Sequence, residues 1–190
     1  MSFNSDGSWD IDEQLRVLDL VKPHPGIDLA MLVDNSGTPV AGESVRRYHD
    51  GKARLDISAW TWGLIVRAAV GAGGRGGRTY TPLVVVRDVD AATASLTSLT
   101  HAATAGLKIA IGAFRVGGDQ SAADQLPFFE LAVEEARITG QFLTTGGSSL
   151  KLSEILVIDY RRIAIRTAPQ ADTGLRGAVR ECEMAAGAAA

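Results

Sequence analysis

The chain has a single cysteine, Cys182, so no disulfide can form within it and the fold must rest on packing alone. Histidines are few. His24, His49 and His101 lie far apart, none meets another at i, i+4, and no cysteine pair stands near them. That is too small a ligand set for zinc; His24 between prolines and His101 on a helix surface take structural or solvent roles. No apolar run approaches the ~20 residues that span a bilayer. No run of lysine or arginine is long enough to follow a phosphate backbone, and the net charge is −3, so neither nucleic acid nor membrane is an expected partner. Met1 to Asp12 are acidic and polar, without the basic start and apolar stretch of a secretory signal. The expectation is a chain made in the cytoplasm, exported, if at all, by a non-classical route.

Catalytic motifs are missing as well. Gly71-Ala72-Gly73-Gly74-Arg75-Gly76 matches the letters G-x-G-x-x-G. A dinucleotide site needs those glycines to open a helix, whereas the next segment, Thr79 to Val89, reads as a strand with Pro82 inside it. It is not a P-loop either, because Gly77 stands where lysine should follow. No G-x-S-x-G elbow occurs. Glu134 and Glu135 are strand neighbours, point to opposite faces and cannot act as paired acids on one substrate. Cys182 lies in a tail that cannot fix a base beside it. No catalytic residue, metal or cofactor is expected, and the chain is not read as an enzyme.

What is present is strand. Leu55, Ile57 and Ala59 alternate with Asp56, Ser58 and Trp60, a period of two that places one face on a core. Trp60 and Trp62 then fall on the nominally outer face, where large rings call for a cover, either a partner or another part of the same chain. Ile27 to Val33 predicts a first strand, Asp34-Asn35-Ser36-Gly37 a turn, and Thr38 to Lys52 a long loop. The tryptophan strand extends toward Val70, followed by a projecting loop with five glycines, Gly71 to Gly77. Leu83-Val84-Val85-Val86 suits a buried strand. Asp88 or Asp90 caps a helix carrying the stripe Ala92, Leu96, Leu99 and Ala103, with Gly106 as its stop. Further strands follow over Leu107–Arg115, Phe128–Glu134, Ile138–Leu143, Ile155–Tyr160 (with a change of facing near Asp159) and Ile163–Arg166.

Seven or eight short strands and one helix fit one domain, a barrel or a sandwich with the helix on one side. Its bounds are 27–168. Residues 1–26 form an extension in which Ile11, Leu15 and Leu18 share a helical face and Asp10 with Glu13 resembles a capping box. Residues 169–190, polar and then alanine-rich, predict a disordered tail.

The order of several motifs resembles the Hcp family, the hemolysin-coregulated tube proteins of type VI secretion. These are Gly42-Glu43-Ser44, a charged loop, Leu55 through Ala59-Trp60-Thr61-Trp62-Gly63, and a glycine-rich loop. After them come Leu107–Arg115, Phe128–Val133, Thr144-Thr145-Gly146-Gly147-Ser148, Leu152-Ser153-Glu154 and Ile158-Asp159-Tyr160. Ala59 and Thr61 stand where the family's S-W-S-W-G pattern has serine. The resemblance spans roughly residues 27–167 and implies a mainly β fold, two sheets curved into a β-barrel with one helix packed on the side. It also implies a hexameric ring, stacked into a tube of type VI secretion or a related contractile injection system, which works with sheath and spike proteins and carries effectors. The candidate subunit-interface residues are then Gly42, Glu43 and Ser44, Trp60 and Trp62, and Gly71, Gly73, Gly74, Gly76 and Gly77. Arg161, Arg162 and Arg166 would line a surface or lumen. The first 26 residues have no counterpart in short members, and would either pad a subunit face or block stacking. The competing function is a stand-alone barrel that sequesters a small molecule against Trp60 or Trp62.

Overall fold

A computed structural model describes residues 26–46, 48–66, 77–115, 126–145, 152–169 and 177–186. Among them the chain forms twelve strands and one helix: β1 (Ile27–Asn35), β2 (Thr38–Pro39), β3 (Leu55–Asp56), β4 (Ala59–Thr61), β5 (Leu64–Val66), β6 (Arg78–Tyr80), β7 (Leu83–Asp88), α1 (Thr93–His101), β8 (Leu107–Arg115), β9 (Phe129–Thr145), β10 (Leu152–Asp159), β11 (Arg162–Thr167) and β12 (Arg180–Ala185). The fold is mainly β with one helix, as the sequence predicts.

One strand and one two-strand segment bridge the two sheets of the barrel. The first part of β9 pairs with β8 and β11, and its last part with β10. Between them Glu135 adopts φ 51°, a left-handed conformation that turns the strand from one sheet into the other. The segment 55–61 does the same on the opposite side. β3 pairs with β1 and β4 with β7, while the Ile57 N–H reaches the Leu29 carbonyl (3.1 Å) and the Ser58 N–H the Val86 carbonyl (2.8 Å). The circuit β1–β8–β9–β10–β7–β4 therefore returns to β1 through β3.

Met31, Val33, Ile109, Ile111, Leu131 and Val133 from one sheet meet Leu83, Val85, Leu156 and Ile158 from the other, all buried. At ~1.5–3 kcal/mol for each buried side chain, this shared interior is the main source of stability. Ala92 and Leu96 bring α1 onto it. The start of α1 is held by Asp90, not Asp88: Asp90 Oδ1 accepts the Ala92 N–H at 2.8 Å. The helix ends before Gly106, because Ala103 itself takes φ 49° and the Thr104 N–H closes back on the Leu99 carbonyl at 3.0 Å.

The predicted irregularity near Asp159 lies in the pairing rather than in β10. Val157 faces Gly140 and Ile158 faces Ile138, so Thr139 of β9 is the extra residue. Leu156 and Ile158 keep one face throughout, and Tyr160 packs against the same core. A second correction concerns the end of the chain. Residues 180–185 form β12, antiparallel to β11, where a disordered tail is expected. Arg166, placed between Glu130 (2.8 Å) and Glu181 (2.7 Å), and Met184, packed on the core, fix that register.

Candidate assembly surface

The motif Gly42-Glu43-Ser44 sits on α1's entry. A Cβ on Gly42 would stand 2.6 Å from Leu55 Cδ2 and 2.9 Å from Asp90 Oδ2, so the close approach requires glycine. The Glu43 N–H donates to Asp90 Oδ2 (3.3 Å), and Glu43 Oε1 accepts the Ala91 N–H (3.2 Å). Ser44 Oγ and the Tyr48 hydroxyl share a hydrogen bond of 3.1 Å. Asp90 also receives Arg87 Nη2 at 2.5 Å. Burial pushes the Asp90 carboxyl up, yet Arg87 and the Ala92 and Glu43 amides outweigh it and hold the group below its usual range. The motif thus ties a loop to the helix, and the residue after it, Val45, is 95% exposed.

Arg87 continues inward. It is buried and bonded through Nη1 to the buried Glu154 at 2.6 Å. Thr93 Oγ1 donates to Glu154 Oε2 at 3.2 Å, and Gln141 Nε2 donates to Glu154 Oε1. The network joins β7, β9, β10 and α1.

The two tryptophans depart from the expected facing. The alternation breaks at Ile57–Ser58, where the segment leaves β1 for β7. Trp60 consequently pairs with Val85 on the barrel's inner face and stacks on Phe129, with ring centroids 5.5 Å apart at 16°. Trp62 also packs against the core, and its indole N–H donates to the Tyr160 hydroxyl. Tyr160 donates to the Thr81 carbonyl at 3.0 Å, and Thr81 bonds Gly63 twice: its N–H to the Gly63 carbonyl (3.0 Å), its Oγ1 accepting the Gly63 N–H (2.8 Å). Burial pushes the Tyr160 phenol up to about 12, with the Trp62 bond opposing the rise and Tyr80 and Asp159 adding to it.

Trp62 and Thr81 therefore clamp both ends of an arm. Its stem is β5 paired with β6, a two-stranded ribbon separate from the barrel sheets. Leu64 and Val66 are exposed on it, Val66 at 65%. Gly77 precedes β6 at the Val66–Arg78 end of the ribbon, away from Gly63 and Thr81, and a Cβ there would meet nothing within 4 Å. Gly71, Gly73, Gly74 and Gly76 lie outside the described residues.

The sequence reading misses a second group of exposed apolar residues. Phe142, Leu143 (60% exposed) and Leu152 face solvent at the far end of the β9–β10 pair. The signal is in the sequence: adjacent apolar residues on a strand face opposite ways, so Phe142 and Leu143 cannot both reach one core. Of the arginines named from sequence, Arg162 Nη2 lies 2.5 Å from Glu135 Oε1, Arg161 Nη1 3.8 Å from Glu135 Oε2, and Arg166 sits between its two glutamates. They form a neutralised charge ladder on the outer face. Among the described residues no group of three or more His, Cys, Asp or Glu is placed to hold a metal ion, and no helix is long and apolar enough to cross a membrane.

The family described as "Type VI secretion system effector, Hcp" matches residues 31–166. No curated protein matches this sequence. Solved structures do match in fold. One, titled as the structure of a type six secretion system protein, is 17% identical with a TM-score of 0.68 and covers 84% of this chain and 95% of its own. Hcp1 from Salmonella typhimurium is 12% identical (TM-score 0.60, 85% and 95% covered). The secreted protein Hcp3 from Pseudomonas aeruginosa is 14% identical (TM-score 0.57, 83% and 97% covered).

Proposed function

Because this chain belongs to the Hcp family of type VI secretion proteins, whose members are structural, secreted tube proteins rather than enzymes, we propose that it is a tube subunit. Its copies close head to tail into hexameric rings, and the rings stack. Sheath and spike proteins are the partners of such a tube, and effectors travel in its lumen.

One observation carries this reading. The barrel interior is filled by the chain's own side chains, while large apolar residues stand exposed on projecting parts: Val45 beside the Gly42-Glu43-Ser44 loop, Leu64 and Val66 on the arm stem, and Phe142, Leu143 and Leu152 on the β9–β10 hairpin. Exposed apolar area of this kind marks a contact with another chain. The arm, with Gly71, Gly73, Gly74, Gly76 and Gly77, is the reaching element of the contact. Trp62 contributes by holding its base, and Trp60 by packing on Phe129 inside the barrel. Their engagement with Phe129 and Tyr160 also favours assembly over small-molecule sequestration, since neither ring is left free to stack on a ligand.

Light scattering on the eluting chromatographic peak, with electron microscopy of the same fraction, tests the proposal. Ring-shaped particles of about 120 kDa, six copies of a 20.0 kDa chain, are expected. A strict monomer at tens of micromolar overturns it.

A further inference from the structure

Exposed apolar residues stand at both ends of one strand ladder. β7 and β10 pair from Leu83 and Ile158 at the first end to Asp88 and Ser153 at the second, a run of about 17–20 Å. The first end carries the arm. Thr81 precedes β7 and Tyr160 follows β10, and the bond between them (3.0 Å) marks the arm's root. On the stem Leu64 and Val66 share one face, and the exposed Arg78, paired with Val66, stands on that face too.

Leu143 and Leu152 lie at the second end. Leu143 is paired with Glu154, and Leu152, two residues before Glu154, shares its face. The Leu152 carbonyl accepts the Val89 N–H at 3.0 Å, which joins the pair to the entry of α1. There the Glu43 N–H donates to Asp90, two residues before the exposed Val45. Gln141 and Arg87 both bond Glu154, and Arg87 also bonds Asp90. One buried network thus ties the strand pair, the helix entry and the Glu43 loop together. A surface held in place beforehand loses little freedom on contact. Its exposed acids, Glu43 and Asp88, are opposite in sign to Arg78.

The stem does not reach this end of its own molecule. From Gly63 to Val66 the backbone extends at most about 10–11 Å, short of the roughly 17–20 Å of the ladder. Two unlike surfaces at opposite ends of one chain meet head to tail, each copy offering one surface to the next. We propose that the arm stem of one copy seats on the second end of its neighbour. Leu64 and Val66 lie against Leu143 and Leu152, Val45 closes the margin, and Arg78 faces Glu43 and Asp88. This contact rests on the tube-subunit reading and gives it two named surfaces.

Thiol cross-linking separates a head-to-tail contact from a symmetric one. The exposed Cys182 is first removed as Cys182→Ser. Val66→Cys and Leu152→Cys, both at exposed positions, are then introduced singly and together. With a short bismaleimide each single variant should stay monomeric in denaturing electrophoresis, and the double variant should give a ladder of covalent multimers. Leu64→Cys with Leu143→Cys repeats the test if the first pair fails to fold. Arg78→Glu added to a double variant sets like charges against each other and should cut the ladder several-fold. Electron microscopy of the same samples keeps the two levels apart. Ring-shaped particles without a ladder overturn this contact and leave the tube reading standing, whereas the absence of both overturns the two together. Dimers in a single variant overturn the contact as well, because they show like surface meeting like. A ladder untouched by Arg78→Glu overturns this seating of the stem.

Discussion

The indole N–H of Trp62 donates to the hydroxyl of Tyr160, 98 residues further along the chain. This contact holds the root of the arm to the end of β10, and Tyr160 passes it on to Thr81 at the other root. Replacing Trp62 by alanine removes the ring packed on the core together with the bond, and is expected to cost about 3–5 kcal/mol. Tyr160→Phe keeps the ring and leaves the Trp62 N–H and the Thr81 carbonyl short of a partner, for about 1–3 kcal/mol. Urea denaturation of the two variants checks the order. Equal, negligible losses would mean that the clamp does not hold the fold.

The same phenol sets an alkaline limit. Its ordinary value is 10.0, and in the folded chain it lies at about 12. Above pH 10 the unfolded chain releases this proton while the folded chain keeps it, so the stabilisation is complete below 10 and is lost as pH rises through 12. Phenolate absorbance should show a late-titrating tyrosine that disappears in Tyr160→Phe.

Arg87 and Glu154 form the buried ion pair of the β7–β10 ladder. Arg87→Leu strands Glu154 among buried groups, at an expected cost of about 3–5 kcal/mol. Replacing both by apolar residues of similar volume should recover most of that loss, because the pair repays little beyond its own desolvation. Chemical denaturation of the single and double variants decides it: a double variant no better than the single would show that the ionic network itself shapes the site.

The strand framework was legible in sequence wherever burial is one-sided or complete. Leu83 to Val86 and the alternation of Leu131 and Val133 need no partner to be identified. What escaped depends on distant groups. The inward turn of Trp60 follows from a strand that changes sheets at Ile57–Ser58, inside an unbroken alternating pattern. β12 reads Arg180-Glu181-Cys182-Glu183, with no strong strand former; its place comes from Arg166 and from Met184 on the core. The buried Arg87–Glu154 pair joins residues 67 apart, and neither announces burial by its type. At the candidate site the sequence picked out the Gly42 loop and the arm but not Val45, Phe142, Leu143 or Leu152.

Ala103 carries backbone strain that one methyl group explains. It ends α1 at φ 49°, a region open to glycine and unfavourable for alanine by about 1–2 kcal/mol. Ala103→Gly should raise stability, less the ~0.4–1 kcal/mol that glycine's extra freedom returns to the unfolded chain. A small rise in melting temperature is the expected reading, and a fall would mean that the alanine methyl group makes a favourable contact.

Assembly and folding separate on the arm stem. Leu64 and Val66 are exposed on a ribbon outside the barrel sheets, so changing both to glutamate removes no core contact. The unfolding midpoint should stay close to that of the native chain, since exposed substitutions usually fall within about ±0.5 kcal/mol. If the stem lies against a neighbouring copy, two carboxylates there must be buried without partners, and the ring should be lost in light scattering and in electron micrographs. A variant that keeps both its melting curve and its rings would place the contact elsewhere, with Phe142, Leu143 and Leu152 as the next surface to charge. A variant that loses both would mean that the ribbon belongs to the folding unit and does not reach out from it.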